Sequence, residues 1–441
     1  MTPSSSSCTR VCSDECADRS RNPRSLDETV ERRVTTVSTP PAGTRKRLDH
    51  IDAMRPVKQA AVISTHALIF FAPIATSSTV VGLIMLTRFS RDAFLFVSAC
   101  MLTYSYKDTQ KIEMVHYTKR RFLSVGVPYL AWTVIYFFYT SLTNTRGFPY
   151  YSLHLSTVFS STGLHYFAHI LLTGYYHLYY LIVIMEFYLL FPLMMKFVRR
   201  FAKWHTQIMV FALVWQIAFG ILVSPHLFSF QISGVVQTRL IFSYAIYLIG
   251  GMIVALHLDP IHQWICEKAR WIVAFTILGA LVGEMFSYTS RFSSFPAYLK
   301  TGTNIFSPAI LPFNVGAILC VYLLGVYLVA PRRRPRTRAM VKSGSDNSYG
   351  VYLSQMLWIP FLVRVRNYFA WHLPWPVAAP LALILVYFMG YFFTALMART
   401  PVARAVTGRG RASWSSLRPK HYASASEPLE ESVSPLDVVK E

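Results

Sequence analysis

Arg55-Pro56-Val57-Lys58-Gln59-Ala60-Ala61-Val62-Ile63-Ser64-Thr65-His66-Ala67-Leu68-Ile69-Phe70-Phe71-Ala72-Pro73-Ile74 is an apolar stretch that carries an arginine and a histidine. Its length suits a bilayer-crossing helix. The eleven-residue step from Arg55 to His66 advances a helix by about 1100°, three turns plus roughly 20°. Both side chains therefore share one face, about 16 Å apart along the axis. Ionisable groups inside a bilayer are costly and face a polar cavity or a partner. One group at the cytoplasmic mouth and one at mid-depth point to an anion site below a reactive centre.

The rest of the chain agrees with a membrane setting. It has 441 residues, 53% of them hydrophobic and 15% aromatic, with a mean hydropathy of +0.37. The formal net charge is +22. Nucleic acid is excluded as its partner, because the basic residues cluster at the ends of apolar segments and in the tails. There they set topology and attract anionic membrane lipids. Residues 1–50 are rich in Ser, Thr and Arg and contain no apolar signal segment, so they read as a disordered cytoplasmic tail. Cys8, Cys12 and Cys16 stand at i, i+4, i+8 within it; a metal or lipidation site there is weakly signalled, and no metal site is assigned. Cys100, Cys266 and Cys320 lie in or beside apolar segments and imply no disulfide framework.

The fold class expected is all-α: a polytopic bundle of about ten transmembrane helices over 51–400, followed by a second disordered cytoplasmic tail, 401–441. The spans run from about Pro56 to Ile74, Asp92 to Tyr106, Phe122 to Leu142, His177 to Val198 and Ile208 to Val223. They continue with Leu240 to His257, Trp271 to Phe286, Ala309 to Ala330, Tyr349 to Val365 and Val377 to Met397. Val80 to Thr87 is read as a re-entrant stretch. Basic clusters fall in alternate connections: Lys107 to Arg121, Lys196 to Lys203 and Arg332 to Lys342. Both termini are thus predicted cytoplasmic. Arg88, Arg91, Arg364 and Arg366 break the pattern on the outer side. The longest outer connection, Thr143 to Tyr176, holds His154, His165 and His169; it either helps to form an acceptor site or covers the core.

His66 has two readings: a general base that takes a proton from an acceptor hydroxyl, or a hydrogen-bonded structural histidine. Arg55 and Lys58, one turn apart, either hold an anionic cofactor or anchor a cytoplasmic helix end. Lys119-Arg120-Arg121 before Pro128-Tyr129 suits phosphates such as those of coenzyme A, or topology alone. Glu186 needs a cation or several donors, and an arginine of that cluster is the expected partner. Asp92 either orients His66 or caps a helix N-terminus. No phosphate-binding glycine loop, nucleophile elbow or metal-ligand constellation appears.

Together these residues resemble the membrane acyltransferase type 3 family, multi-span enzymes that acylate surface glycans, lipids and secondary metabolites. The resemblance runs from about His50 to Thr400. Arg55-x10-His66 is similar to the family's first-helix pattern. Asp92 to Leu102 resembles its second-helix segment, with Ser98-Ala99 where Ser-Gly is usual. Arg120-Arg121 to Trp132 resembles the basic start of its third helix. Tyr176-His177 with Glu186-Phe187-Tyr188 and Pro192 looks like its fourth-helix signature. Ser348-Tyr349-Gly350-Val351-Tyr352-Leu353-Ser354-Gln355 is similar to its late motif. Two departures stand out. Ser124 occupies the second place of the family's Arg-x-x-Arg, and Gln355 stands where a histidine often ends the late motif.

What the resemblance implies is an O-acyltransferase that moves an acyl group, acetyl above all, from acyl-CoA to a hydroxyl of a glycan, lipid or secondary metabolite. Acetyl-CoA would be a donor substrate, with no permanently bound cofactor. His66 would be catalytic, and Arg55, Lys58, Arg120 and Arg121 would hold the CoA phosphates. Asp92, Glu186 and His177 would be structural or orienting. The residues after Thr400 are too few for the esterase-like domain of some relatives, so a stand-alone module in a plasma membrane is expected. The alternative is a transporter or flippase of a glycan or lipid intermediate, which the same cationic lining and mid-membrane histidine would serve.

Overall fold

The computed structural model describes residues 47–74, 77–143, 158–223, 238–289, 305–331, 333–370 and 372–413. Among them the regular elements are all helices. In chain order they begin with α1 (Asp49–Phe71), α2 (Ser78–Thr87), α3 (Phe89–Tyr106), α4 (Met114–Arg121) and α5 (Val127–Thr143). Next come α6 (Ser161–Thr173), α7 (Tyr179–Arg200), α8 (His205–Leu222), α9 (Ala245–Leu256) and α10 (Leu258–Glu267). The last are α11 (Ala269–Thr289), α12 (Leu311–Val329), α13 (Pro335–Tyr368), α14 (Trp375–Met397) and α15 (Ala403–Thr407). The N-terminal cysteines and His154 lie outside the described residues.

Helix α1 is the inner element. It packs against α2, α3, α12, α13 and α14. It starts at Asp49, seven residues before the expected Pro56, and Pro56 lies inside it. Asp49 and Asp52 in its first turn complement the partial positive charge of the helix N-terminus. Helix α3 packs closely on α9, because Gly251 brings the two backbones together: a Cβ there would sit 2.4 Å from the Phe96 carbonyl oxygen. Around these helices the core is aromatic, with Trp132, Tyr136, Tyr166, Phe187, Phe191, Tyr244 and Tyr322 fully buried.

Among the described residues, six stretches are long and apolar enough to cross a membrane: Met114–Leu142, Ser161–Arg200, Ala202–Leu222, Ala269–Phe286, Pro308–Val329 and Trp375–Met397. The pair α9 and α10, bent by 105°, makes a seventh if counted as one span. Three of the ten expected spans, α1, α3 and the late part of α13, are continuous helices that fall short of that apolarity. Burial explains the difference. Asp52, Lys58 and Gln59 on α1, Asp92 and Thr103 on α3, and Ser345, Ser348 and Gln355 on α13 are enclosed by other helices. A helix shielded from lipid can carry polar side chains. The outer helices show the converse. Val210, Phe211 and Val214 on α8, Ile277, Leu278 and Leu281 on α11, and Ile384, Phe388 and Phe392 on α14 are exposed. Such apolar surfaces belong against lipid, and the chain is a multi-pass membrane protein.

The expected re-entrant stretch is α2, a ten-residue helix too short to cross a bilayer. Three other boundaries depart from expectation. The third span begins in α4 and passes through a π-helical turn at Phe122–Gly126 before α5. Helix α13 starts at Pro335, inside the basic connection, since proline at a first helical position and the Arg, Ala, Met and Lys that follow favour a helix. Finally, the start of the expected C-terminal tail is ordered: α15 packs on α5, α13 and α14. There the Trp132 indole N–H donates to the Val406 carbonyl at 2.9 Å.

Candidate functional site

Two cavities lie back to back in the bundle. The larger, about 510 Å³, gathers Arg55, Lys58, Arg120 and Arg121 into one lining, with Ser98, Ser348 and Tyr349 of the quoted motifs. Arg55 and Lys58 come from one face of α1, as their spacing requires. Arg120 and Arg121 end α4, where the π-helical turn redirects the chain. Each cation except Arg120 has a local support. Arg55 pairs with Asp52 at 3.2 Å. Lys58 Nζ lies 3.1 Å from the Phe94 ring centroid. Arg121 stacks over Tyr117 and Tyr188, at 5.7 and 5.4 Å. Cation–π contacts of this kind hold a charge in place without neutralising it.

Ser124, the residue that replaces an arginine in the family pattern, also lines this cavity, and its hydroxyl donates to the Arg121 carbonyl at 3.0 Å. A cation reaches the same lining from elsewhere. After α15, Gly408 takes φ +70° and comes so close that a Cβ would meet the Ser124 carbonyl at 2.8 Å. The next residue, Arg409, lines the cavity and pairs with Asp346 at 3.0 Å.

The smaller cavity, about 250 Å³, is lined by His66, His177, Arg88, Arg91 and Tyr176, among mainly apolar and aromatic neighbours. His66 Nδ1 and the Tyr176 hydroxyl lie 3.2 Å apart. Tyr176 reaches that position through a backbone φ of +36°, unusual for a tyrosine and a source of local strain. It belongs to the sharp turn between α6 and α7. His177 is buried and its Nε2 lies 3.3 Å from the Leu353 carbonyl, which requires Nε2–H to be the donor. His177 Nδ1 then carries a lone pair, and it meets no partner.

Phe94, Tyr180 and Tyr352 belong to both linings and form the partition between the cavities. Their ring centroids stand 5.8 Å (Phe94 to Tyr180), 5.5 Å (Phe94 to Tyr352) and 6.5 Å (Tyr180 to Tyr352) apart. The two hydroxyls are tied down. Tyr352 donates to the His177 carbonyl at 2.5 Å, and Tyr180 donates to the Arg91 carbonyl at 3.2 Å.

Several residues take places that the sequence did not indicate. Asp92 neither orients His66 nor caps a helix. It is buried in the first turn of α3, bonded to Arg91 at 3.1 Å and to Asn314 at 3.0 Å. Tyr176 holds His66 instead. Glu186 does not pair with Arg120 or Arg121; its carboxylate accepts the Ile241 backbone N–H at 3.1 Å. Gln355 is fully buried and lines neither cavity. His165 and His169 are exposed on α6 and are absent from both linings. Arg88 and Arg91 carried a signal in advance, since both violated the charge pattern of the outer connections. Tyr176 stood in the fourth-helix resemblance and Arg409 in the basic tail, but neither was given a place in the site: one depends on a strained turn, the other on a distant segment folding back.

Searches of the curated proteins and of the solved structures find no match to the chain. A family model does match: that of the acyltransferase domain, type 3, over residues 49–399. The match covers every lining residue of both cavities except Gly408 and Arg409, so this chain belongs to the type 3 family of membrane acyltransferases.

Proposed function

We propose that the protein transfers an acyl group, acetyl above all, from acyl-CoA to a hydroxyl of a glycan, lipid or secondary metabolite. The observation that carries this reading is the pair of cavities that share one aromatic partition, five cations (Arg55, Lys58, Arg120, Arg121 and Arg409) on one side and His66 on the other. The CoA phosphates meet Arg55, Lys58, Arg120 and Arg121. The extended pantetheine arm, comparable in length to the Arg55–His66 separation, passes Phe94, Tyr180 and Tyr352. The thioester then stands beside His66.

In the base-competent tautomer His66 Nδ1–H donates to the Tyr176 oxygen and Nε2 holds the free lone pair. Nε2 takes the proton of the acceptor hydroxyl as its oxygen attacks the thioester carbonyl. The tetrahedral intermediate collapses, the C–S bond breaks, and the CoA thiolate takes a proton from the imidazolium. Asp92, Glu186 and His177 act at one remove: Asp92 steadies Arg91, Glu186 holds the start of the Ile241–Tyr244 turn, and His177 ties α7 to α13. The charge pattern supports ten spans with both termini cytoplasmic, and membership of the family favours a plasma membrane.

Acetyl-CoA is expected to raise the unfolding temperature of the purified, detergent-solubilised protein. No shift in a folded sample favours the transporter reading, in which the cationic lining passes an anionic intermediate and needs no acyl donor. A second expectation concerns Tyr176. Tyr176→Phe removes the group that holds His66 and lowers kcat about tenfold, leaving the acyl-CoA KM unchanged, in keeping with the loss of one hydrogen bond. An unaltered kcat would remove Tyr176 from the mechanism.

A further inference from the structure

Among the described residues, the cavity beside His66 is lined by two arginines and by no carboxylate. Arg88 and Arg91 both line it, but they differ in their partners. Arg91 is paired with Asp92 at 3.1 Å and stands over the rings of Tyr244 and Phe306. Arg88 is the single residue between α2 and α3, and its guanidinium meets the Met85 sulfur at 3.5 Å. A thioether is a weak acceptor for a group with five N–H donors. The lining contains no Asp or Glu among the described residues. Arg88 is half-buried, and the apolar wall around it strengthens its attraction for an anion. Arginine also matches carboxylate and phosphate geometry through paired N–H bonds. Most of the remaining wall is apolar, with Val62, Ile69 and Ile305.

We propose that the acceptor is an amphiphile with a carboxylate or phosphate near its reacting hydroxyl, and that Arg88 binds that oxyanion. This rests on the acyltransferase reading for the hydroxyl at His66, and it narrows the acceptor class. Neutral glycans and simple alcohols are poor acceptors on this account, because they leave Arg88 unpaired.

The test needs no acyl donor, so it stands apart from the acetyl-CoA experiment above. The full-length protein in nanodiscs of zwitterionic lipid is titrated with octyl phosphate and with octanol. Octyl phosphate is expected to bind the wild type at least about tenfold more tightly than Arg88→Gln, the scale of a charge-assisted contact. Octanol binds both equally, Arg88→Lys falls between, and Arg366→Gln, a change of an arginine outside either cavity, matches the wild type. Equal affinity of octyl phosphate for the wild type and Arg88→Gln overturns the proposal. A second measurement uses the wild type alone, in case the variants do not fold. Arginine modification by phenylglyoxal, mapped by mass spectrometry, is expected to spare Arg88 when octyl phosphate is present and not when octanol is. Equal labelling of Arg88 overturns it as well. Displacement of octyl phosphate by added anionic lipid would assign Arg88 to a membrane headgroup, and the acceptor role would fall.

Discussion

His66→Ala abolishes acyl transfer and leaves the protein folded and inserted. The expected loss is about 10²- to 10⁴-fold in kcat, the usual contribution of a positioned general base. The side chain borders an existing cavity and is hydrogen-bonded to Tyr176. Its removal therefore enlarges a space that is already there, and the helix packing around α1 is preserved. Acceptor-dependent release of the CoA thiol measures the reaction, and gel filtration with thermal unfolding reports the fold. Full turnover by a folded His66→Ala variant would take the histidine out of the chemistry and return it to a structural part.

Arg121→Ala raises the KM for acyl-CoA by about 10- to 100-fold, which corresponds to losing a charged hydrogen bond worth about 1.5–3 kcal/mol. The KM for the acceptor and kcat change little. The split follows from position: Arg121 lines the cationic cavity and is absent from the cavity of His66. Tyr117 and Tyr188 hold its guanidinium in place, so the free protein loses little order on mutation. A donor KM that stays at its wild-type value would mean that the phosphates bind elsewhere, and Arg409 would be the next residue to change. A parallel fall in kcat would instead indicate that Arg121 acts on the transition state.

The parts of the site that sit on one helix were legible in the chain. Arg55, Lys58 and His66 share α1, and the helical repeat alone puts them on one face. Arg120 and Arg121 were visible as a cluster next to an apolar span. Asp92 and Glu186 were noticed because a carboxylate in an apolar run needs a partner, but their partners were misjudged. Asp92 is bonded to its neighbour Arg91, but its second partner, Asn314, and the Ile241 N–H bound by Glu186 come from helices and turns far along the chain. The outer arginines stood out as exceptions to topology, and only the convergence of α1, α3, α7 and α13 on one cavity reveals that Arg88 and Arg91 line it.

The all-helical class and the rough positions of most helices were readable because hydrophobicity has a period and a length, and both are local properties of the chain. The number of spans was not, since six or seven stretches among the described residues are apolar enough to cross a membrane and about ten were expected. The inner position of α1, α3 and α13 was not readable, since it depends on which faces other helices cover. The same holds for the partition of Phe94, Tyr180 and Tyr352, contributed by three different helices. Tyr176 and Arg409 are the extreme cases. One is aimed by a backbone conformation that tyrosine seldom adopts, the other by a segment that docks on Trp132 from far along the chain. The local sequence thus determined the helices and the placing of the charges along them. Tertiary packing decided which of those charges share a cavity, because distances between side chains on different helices are set by the whole bundle and not by any one of its parts.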